Sequence, residues 1–378
     1  MKGNILITGG AGFIGSNIAL KLIEKGYRVR VLDNLSPQIH GENPEKSFLY
    51  NSIKDKTDFI LGNVLSKDDW RKALIDIDIV IHLAAETGTG QSMYDIENYI
   101  DVNIKGTALL WEILTNEKFN VKKVIVAASR AVYGEGKYKC PTHGITYPNE
   151  RKLKDLEKKD FEVKCPICNS NVELMATTED SAILCSSVYG LTKDVQEKLS
   201  LLIGKNLNIP VVAYRYQNVY GPGQSLKNPY TGILSIFSTR IRNNNNINIF
   251  EDGKESRDFV YIDDVVNGTI LSLENEKSNY QVFNIGSGKN IDVLTVAKTL
   301  KELYNSDVDI EVNGNFRLGD IRHNFADITK AKNILGYVPE YDFDKGIKKF
   351  VDWVKTQEIE KDDYEKSIEE MKRKGLYK

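Results

Sequence analysis

The sequence predicts an α/β chain built on a doubly wound parallel sheet, with a smaller C-terminal lobe and a cysteine-rich insertion. Three observations carry this reading. Short apolar runs alternate with amphipathic stretches through the first third of the chain, the order of a sheet whose strands are joined by helices. The apolar runs are nearly continuous rather than alternating, as strands are when both faces of a parallel sheet are covered. The rhythm then breaks over 134–185, a stretch rich in Lys, Glu, Pro and Cys with little apolar periodicity, and afterwards resumes.

The first strand is expected at 5–8, where Ile5, Leu6 and Ile7 run into a glycine turn. A helix follows at 17–25, with Ile18, Leu22 and Ile23 on one face. Further strands are expected at 27–32, 59–61, 79–83 and 124–127, each a short apolar run. After the insertion come a helix at 189–204 and a strand at 209–214. The stretch 221–232, full of Gly, Pro and Asn, reads as irregular, and the polar run 243–246 as a turn. A last strand at 280–285 ends at Gly286-Ser287-Gly288. The tail from Glu358 is highly charged, with Tyr364, Ile368 and Met371 at helical spacing. It reads as a solvated helix packed on its parent domain, with an oligomer contact as the other reading.

The chain has 378 residues, of which 51 are Lys or Arg and 53 Asp or Glu. A formal net charge of -2 gives no electrostatic case for nucleic acid or an anionic membrane, so any anionic ligand must be held by local groups. No apolar run approaches the length that spans a bilayer, and the N-terminus lacks a secretory pattern. The expected location is cytoplasmic, where the four cysteines are not expected to form disulfides.

Gly9-Gly10-Ala11-Gly12-Phe13-Ile14-Gly15 follows the first strand and opens the first helix. Glycine is needed where the backbone turns tightly and where it approaches a pyrophosphate. The helix N-terminus presents free N–H groups to the phosphates. Asp33, 18 residues after Gly15, closes the second strand. A carboxylate there accepts from a ribose 2′-hydroxyl and repels a 2′-phosphate, so the expected cofactor is NAD rather than NADP. The arrangement is that of a Rossmann dinucleotide site. Leu83, Ala84 and Ala85 end another strand with small residues against which a cofactor can lie.

Tyr189 and Lys193 stand four residues apart on an expected helix and share a face. A tyrosine's ordinary pKa of about 10 is too high for a base at neutral pH. A nearby ammonium lowers it. Ser129 ends the strand at 124–127, where active sites of open parallel sheets sit. Taken alone the Tyr-x-x-x-Lys pair is a weak signal. With the glycine turn and a strand-end serine it forms a candidate catalytic set.

These motifs resemble the extended short-chain dehydrogenase/reductase family. The resemblance extends to Ala131-Val132-Tyr133-Gly134, Asn218-Val219-Tyr220-Gly221-Pro222, Arg257-Asp258-Phe259-Val260 and Arg317-Leu318-Gly319-Asp320. It implies a nucleotide-diphosphate sugar as substrate. Asn218, Arg257 and Arg317 are then expected on its diphosphate and Asp320 on its ribose. Arginines suit that role through charge-assisted bonds to phosphate. The resemblance adds Asn34, Asn63, Val64, Asn103 and Tyr216 to the cofactor contacts, and Thr87, Gln91 and Arg130 to the substrate contacts. It also implies a homodimer through helices near 102–114 and 188–203. Asn63 stands where many members have Asp, and Cys185 lies in 184–187 where a proline is common.

Dehydratases of this family carry an Asp-Glu pair directly after the catalytic hydroxyl residue, whereas here Ser129 is followed by Arg130-Ala131. The expected reaction is therefore epimerisation at C4 through a 4-keto sugar. The alternatives are a 4-keto sugar reductase and a catalytically silent NAD-binding sensor. Residues 86–93 and 129–136, with the cysteine-bearing insertion, resemble the dTDP-L-rhamnose 4-epimerase branch. UDP-glucose 4-epimerases are the alternative branch.

Ser129 and Tyr189 are 60 residues apart, a gap that is roughly half as long in many members of the family. It holds Cys140-Pro141-Thr142-His143 and Cys165-Pro166-Ile167-Cys168. Two such knuckles suit a closed tetrahedral zinc site of Cys140, His143, Cys165 and Cys168, with Cys185 as the alternative fourth ligand. Free thiols and a surface histidine are the other reading. The expected division is a dinucleotide-binding domain at 1–133, 186–216 and 255–290, the insertion at 134–185, and a nucleotide-sugar-binding lobe at 217–254 and 291–357. The charged tail is 358–378.

Overall fold

The computed structural model describes residues 2–228 and 232–378. Position 1 and positions 229–231 of the expected irregular stretch lie outside the described residues. Seven strands form one sheet: β1 (Asn4–Thr8), β2 (Arg28–Asp33), β3 (Asp58–Leu61), β4 (Ile79–His82), β5 (Lys123–Ser129), β6 (Val211–Tyr216) and β7 (Gln281–Ile285). Their order is β7-β6-β5-β4-β1-β2-β3 and every neighbouring pair is parallel. The chain reverses its direction of growth between β1 and β4, and ligands of such sheets bind at that switch point.

The continuous apolar runs have the cause the sequence suggested. In β1, Ile5 and Ile7 join one core cluster while Leu6 joins the other. In β5, Ile125 and Ala127 face the first cluster, Val124 and Val126 the second. Helix α1 (Phe13–Glu24) covers the first face with Ile18, Ala19 and Leu22. The second is covered by α2 (Lys67–Leu74) and α3 (Gly106–Asn116), through Trp70, Leu110 and Trp111, and by α4 (Val188–Asn206). Two boundaries shift with consequence. Helix α1 begins at Phe13, since Gly12 already serves as its N-cap. Strand β5 runs on to Ser129, which is itself buried.

In the lobe α5 (Ile233–Arg242), with α6 (Ile262–Ile270) following it in the chain but packed on α1, joins α7 (Val293–Tyr304) and α8 (Phe343–Thr356) on short strand pairs such as Ile247–Ile249 with Ile310–Val312. The insertion forms a three-stranded antiparallel sheet of Gly144–Thr146, Tyr138–Cys140 and Glu173–Leu174. A buried ion network ties it to the lobe. Arg151 pairs with Glu135 and Glu251, and Arg322 with Glu251, Asp252 and Glu162.

The tail forms the expected helix, packed on the rest of the chain through the three residues at helical spacing. Residues Tyr364–Arg373 form α9, whose Tyr364, Ile368 and Met371 are buried against Ile236, Phe250, Leu376 and Tyr377. The chain end then pairs in antiparallel fashion with the segment around Arg317, Phe316 and Lys378 exchanging backbone hydrogen bonds.

Candidate active site

A cavity of about 580 Å³ opens at the C-terminal ends of the central strands. Gly9, Gly12, Phe13, Ile14 and Gly15 line one end, followed by Asp33, Asn34, Asn63 and Val64. Gly9 adopts φ +67°, and a Cβ there would lie 2.8 Å from the Ala84 nitrogen. A Cβ on Gly15 would collide with the Gly9 carbonyl oxygen. The loop therefore packs as tightly as glycine alone permits. No side chain caps α1, so its first N–H groups face the cavity. Asp33 accepts from the Ala11 and Leu35 amides at 2.9 and 2.8 Å. Burial raises its pKa against those bonds and the nearby His40. Each carboxylate oxygen keeps a lone pair for a further donor. Donors at one end and an acceptor beyond them match the pyrophosphate and ribose of a dinucleotide.

Leu83, Ala84, Ala85, Thr87 and Tyr216 continue the wall toward the centre, where Ser129, Tyr189 and Lys193 meet. Ser129 is the last residue of β5, and its Oγ accepts from the Ala131 amide at 3.2 Å. Ser187 caps α4 by accepting from the Gly190 amide at 3.1 Å, which fixes Tyr189 in the first turn. A Cβ on Gly190 would lie 2.6 Å from the Ala131 carbonyl oxygen. Glycine thus lets α4 approach the turn after Ser129 and brings the phenol to the serine. Sequence reasoning missed this role; a glycine beside the candidate tyrosine was its only signal.

Charge is distributed differently from the expectation. Burial raises the Tyr189 phenol, and the opposing pull comes from the Ser129 hydroxyl and the Arg130 guanidinium. Lys193 donates to Gln196 Oε1 at 2.6 Å, and burial brings its ammonium down to about 7. The groups that lower the phenol are thus Ser129 and Arg130 rather than the expected Lys193.

Beyond the centre, Arg130 donates from Nε to Asn218 Oδ1 at 2.9 Å. Arg257 donates to the carbonyl oxygens of Ser256, Ile321 and Arg322. Arg317 and Asp320 pair at 2.7 Å. All five side chains line the cavity, which supplies the local positive charge that the composition lacks.

Two expected contacts do not line it. Asn103 is fully buried and braces the loop after β4, accepting from the Glu86 amide and donating to the Glu86 carbonyl and the Thr192 hydroxyl. Gln91 spends its amide on Gln38, which does line the cavity. Sequence reasoning also missed Glu255, a wall carboxylate raised by burial to about 7. Among the described residues, Glu255 Oε2 and both polar atoms of the Gln217 side chain are buried without a hydrogen-bond partner. Both residues line the cavity, and Glu255 Oε2 lies 3.7 Å from the Arg322 guanidinium.

In the insertion the ligand atoms of Cys140, His143, Cys165 and Cys168 lie within 4.8 Å of one another. Cys140 Sγ is 3.5 Å from His143 Nδ1 and 3.7 Å from Cys168 Sγ, and Cys165 Sγ is 3.7 Å from His143 Nδ1. A tetrahedron with zinc–sulfur bonds of about 2.3 Å has edges of about 3.7 Å. Cys185 stands apart, its thiol donating to the Val132 carbonyl at 3.6 Å and raised by burial to about 11. It is not the fourth member of the cluster.

Residues 5–152 and 171–286 match the family model described as the NAD dependent epimerase/dehydratase family. The chain is 36% identical to a dTDP-L-rhamnose 4-epimerase of Burkholderia thailandensis, over 94% of this chain and 96% of that one. It is 33% identical to a putative UDP-glucose 4-epimerase of Methanocaldococcus jannaschii, over 93% and 98%. Among solved structures, it resembles the Bacillus cereus UDP-glucuronic acid 4-epimerase in complex with UDP-glucuronic acid and NAD. That match has a TM-score of 0.75 at 28% identity, covering 93% of this chain and 99% of that one.

Proposed function

The chain belongs to the NAD dependent epimerase/dehydratase family, and from that premise we propose that it is an NAD-dependent 4-epimerase of a nucleotide-diphosphate sugar, with dTDP-L-rhamnose the favoured substrate. The observation that carries the reading is the meeting of Ser129, Tyr189 and Lys193 midway along one cavity, between a glycine turn and a cluster of arginines.

The glycine turn, the bare N-terminus of α1 and Asp33 would hold NAD, which when bound would supply the hydride acceptor and donor for C4 of the sugar. Tyr189 takes the proton of the 4-hydroxyl and gives it back, and Ser129 donates to the same oxygen. Arg257 and Arg317 anchor the diphosphate while the 4-keto sugar turns within the cavity. Arg130, held by Asn218, keeps positive charge beside the phenol.

The sugar branch rests on the relative at 36% identity; the relative at 33% favours UDP-glucose as the second reading. NMR of the protein with NAD and, separately, dTDP-L-rhamnose, UDP-glucose and UDP-galactose tests both. Conversion of the rhamnosyl nucleotide to its C4 epimer with no net NADH supports the first reading. Conversion of a UDP-hexose alone replaces it with the second. Net consumption of reduced cofactor on a 4-keto sugar identifies a reductase, and loss of all conversion leaves a silent binder.

Cys140, His143, Cys165 and Cys168 would hold a structural zinc ion in this reading, supported by their spacing and by ligand atoms that all lie within 4.8 Å of one another. Metal analysis of protein prepared without chelator should return one zinc per chain; none would remove the proposal. A homodimer is proposed through the helices near 102–114 and 188–203, supported by the exposed apolar side chains of Leu191 and Leu202 on α4 and of Ile100 beside the other helix. Light scattering that returns the monomer mass would exclude it.

A further inference from the structure

The cavity does not end at the arginines. Tyr364, Ser367, Ile368 and Met371 of α9 line it as well, together with Ile236 and Phe250. The helix is firmly placed. The Arg240 guanidinium lies 4.3 Å over the Tyr364 ring and pairs with Asp362 at 3.4 Å and Glu365 at 3.1 Å. After α9 the chain turns back, and the Leu318 amide donates to the Leu376 carbonyl at 2.9 Å. The ring of Tyr377 packs 5.4 Å from that of Phe250, over which the Arg317 guanidinium sits at 5.1 Å. The C-terminal segment therefore holds both the strand segment carrying Arg317 and the apolar surface beside it.

On the reading proposed above, the sugar occupies the centre at Tyr189 and Ser129, and the diphosphate lies at Arg257 and Arg317. What remains of such a ligand is its nucleoside, which must extend past the arginines. The surface found there is aliphatic, aromatic and thioether. A planar base offers two apolar faces, and methionine and aromatic side chains pack well on such faces. We infer that α9 is a nucleotide-recognition element: Ile368 and Met371, with Ile236 and Phe250, form the slot that takes the base of the nucleoside diphosphate. The inference rests on the proposed function and goes beyond it. A segment that reads as a charged tail becomes part of the substrate site, and its apolar face contributes to the choice of base.

The test measures binding of dTDP and of UDP, without sugar, by calorimetry on the NAD-loaded full chain. Met371→Ala and Ile368→Ala should each weaken dTDP binding about tenfold, the scale of one lost buried apolar side chain, and change the ratio of dTDP to UDP affinity. Bound NAD should stay at the wild-type level. Glu369→Ala, on the exposed face of the same helix, should bind as wild type does. Equal dTDP affinity in wild type and the two apolar variants would overturn the role of α9 while leaving the epimerase reading intact. A fall in dTDP and UDP affinity that Glu369→Ala shares would assign α9 a packing role only and overturn base selection. A wild-type protein that binds neither nucleotide and converts no nucleotide sugar would overturn the reading of the whole site.

Discussion

Lys193 donates to Gln196 one turn along the same helix, at 2.6 Å, while Tyr189 one turn before it faces Ser129. Burial raises the phenol and lowers the ammonium to about 7, so the free protein keeps both groups nearer neutral than they would be in water. The Ser129 hydroxyl and Arg130 are the groups that draw the phenol back down. Tyr189→Phe should keep its bound cofactor and lose turnover by about 10²- to 10⁴-fold, the usual worth of a positioned proton-transfer group. Single-turnover kinetics with NAD content measured in parallel checks this; a variant with wild-type turnover would discard Tyr189 as the base.

Asp33 serves the cofactor site twice, through its place on the wall and through the Ala11 and Leu35 amides that it accepts. Removing it frees those amides and takes away the negative charge that repels a 2′-phosphate. Asp33→Ala should weaken NAD binding by about tenfold to a hundredfold, on the scale of hydrogen bonds to a charged group. NADP should lose much less, so the preference narrows. Fluorescence titration with both cofactors decides it, an unchanged ratio counting against the role.

The sheet was legible because its central strands are sandwiched between two cores, and that burial writes continuous apolar runs into the sequence. The site was legible where chemistry demands a residue type at a short spacing, as in Gly9–Gly15 or Tyr189 and Lys193. What escaped depends on contacts with no local signature. Arg151 meets Glu251 across 100 residues, and nothing near either marks the pair. The apolar spacing of Tyr364, Ile368 and Met371 announced a buried face but not that it closes a cavity. Asn103 and Gln91 sit beside real site residues and turn elsewhere, because a side chain's direction is settled by its partners.

The same Arg151 yields a stability prediction. It joins Glu251 through two bonds of 2.8 Å, approaches Glu135 at 3.3 Å and donates to the Asp320 carbonyl at 2.8 Å. The three ionic side chains are at most 4% exposed. Arg151→Met leaves Glu135 buried without a cation and Glu251 with Arg322 alone, and should cost about 3 kcal/mol in denaturant unfolding. Because Arg151 also holds the backbone of Asp320, KM for the nucleotide sugar should rise more than kcat falls. Unchanged stability would mean that the network rearranges freely.

His82 ties the first core to the catalytic helix. Its Nδ1 lies 2.7 Å from the Thr8 hydroxyl and its Nε2 2.9 Å from that of Thr107, with the Gln196 amide at 3.3 Å. Burial, and after it the Lys193 charge, lowers its pKa to about 3. In the unfolded chain the ring titrates near its ordinary value of about 6.5. Between these values the unfolded state binds a proton that the folded state refuses, so stability falls as pH is lowered through the window and is unaffected by this group above it. One proton corresponds to about 1.4 kcal/mol per pH unit in the steep part of that range. His82→Gln lowers stability at every pH by disturbing the bonds, but it removes this proton. Urea unfolding of wild type and variant at pH 5 and pH 7.5 should show the wild type losing more on acidification. Equal losses would mean that the ring accepts its proton in the folded state, and with it a charge beside Lys193.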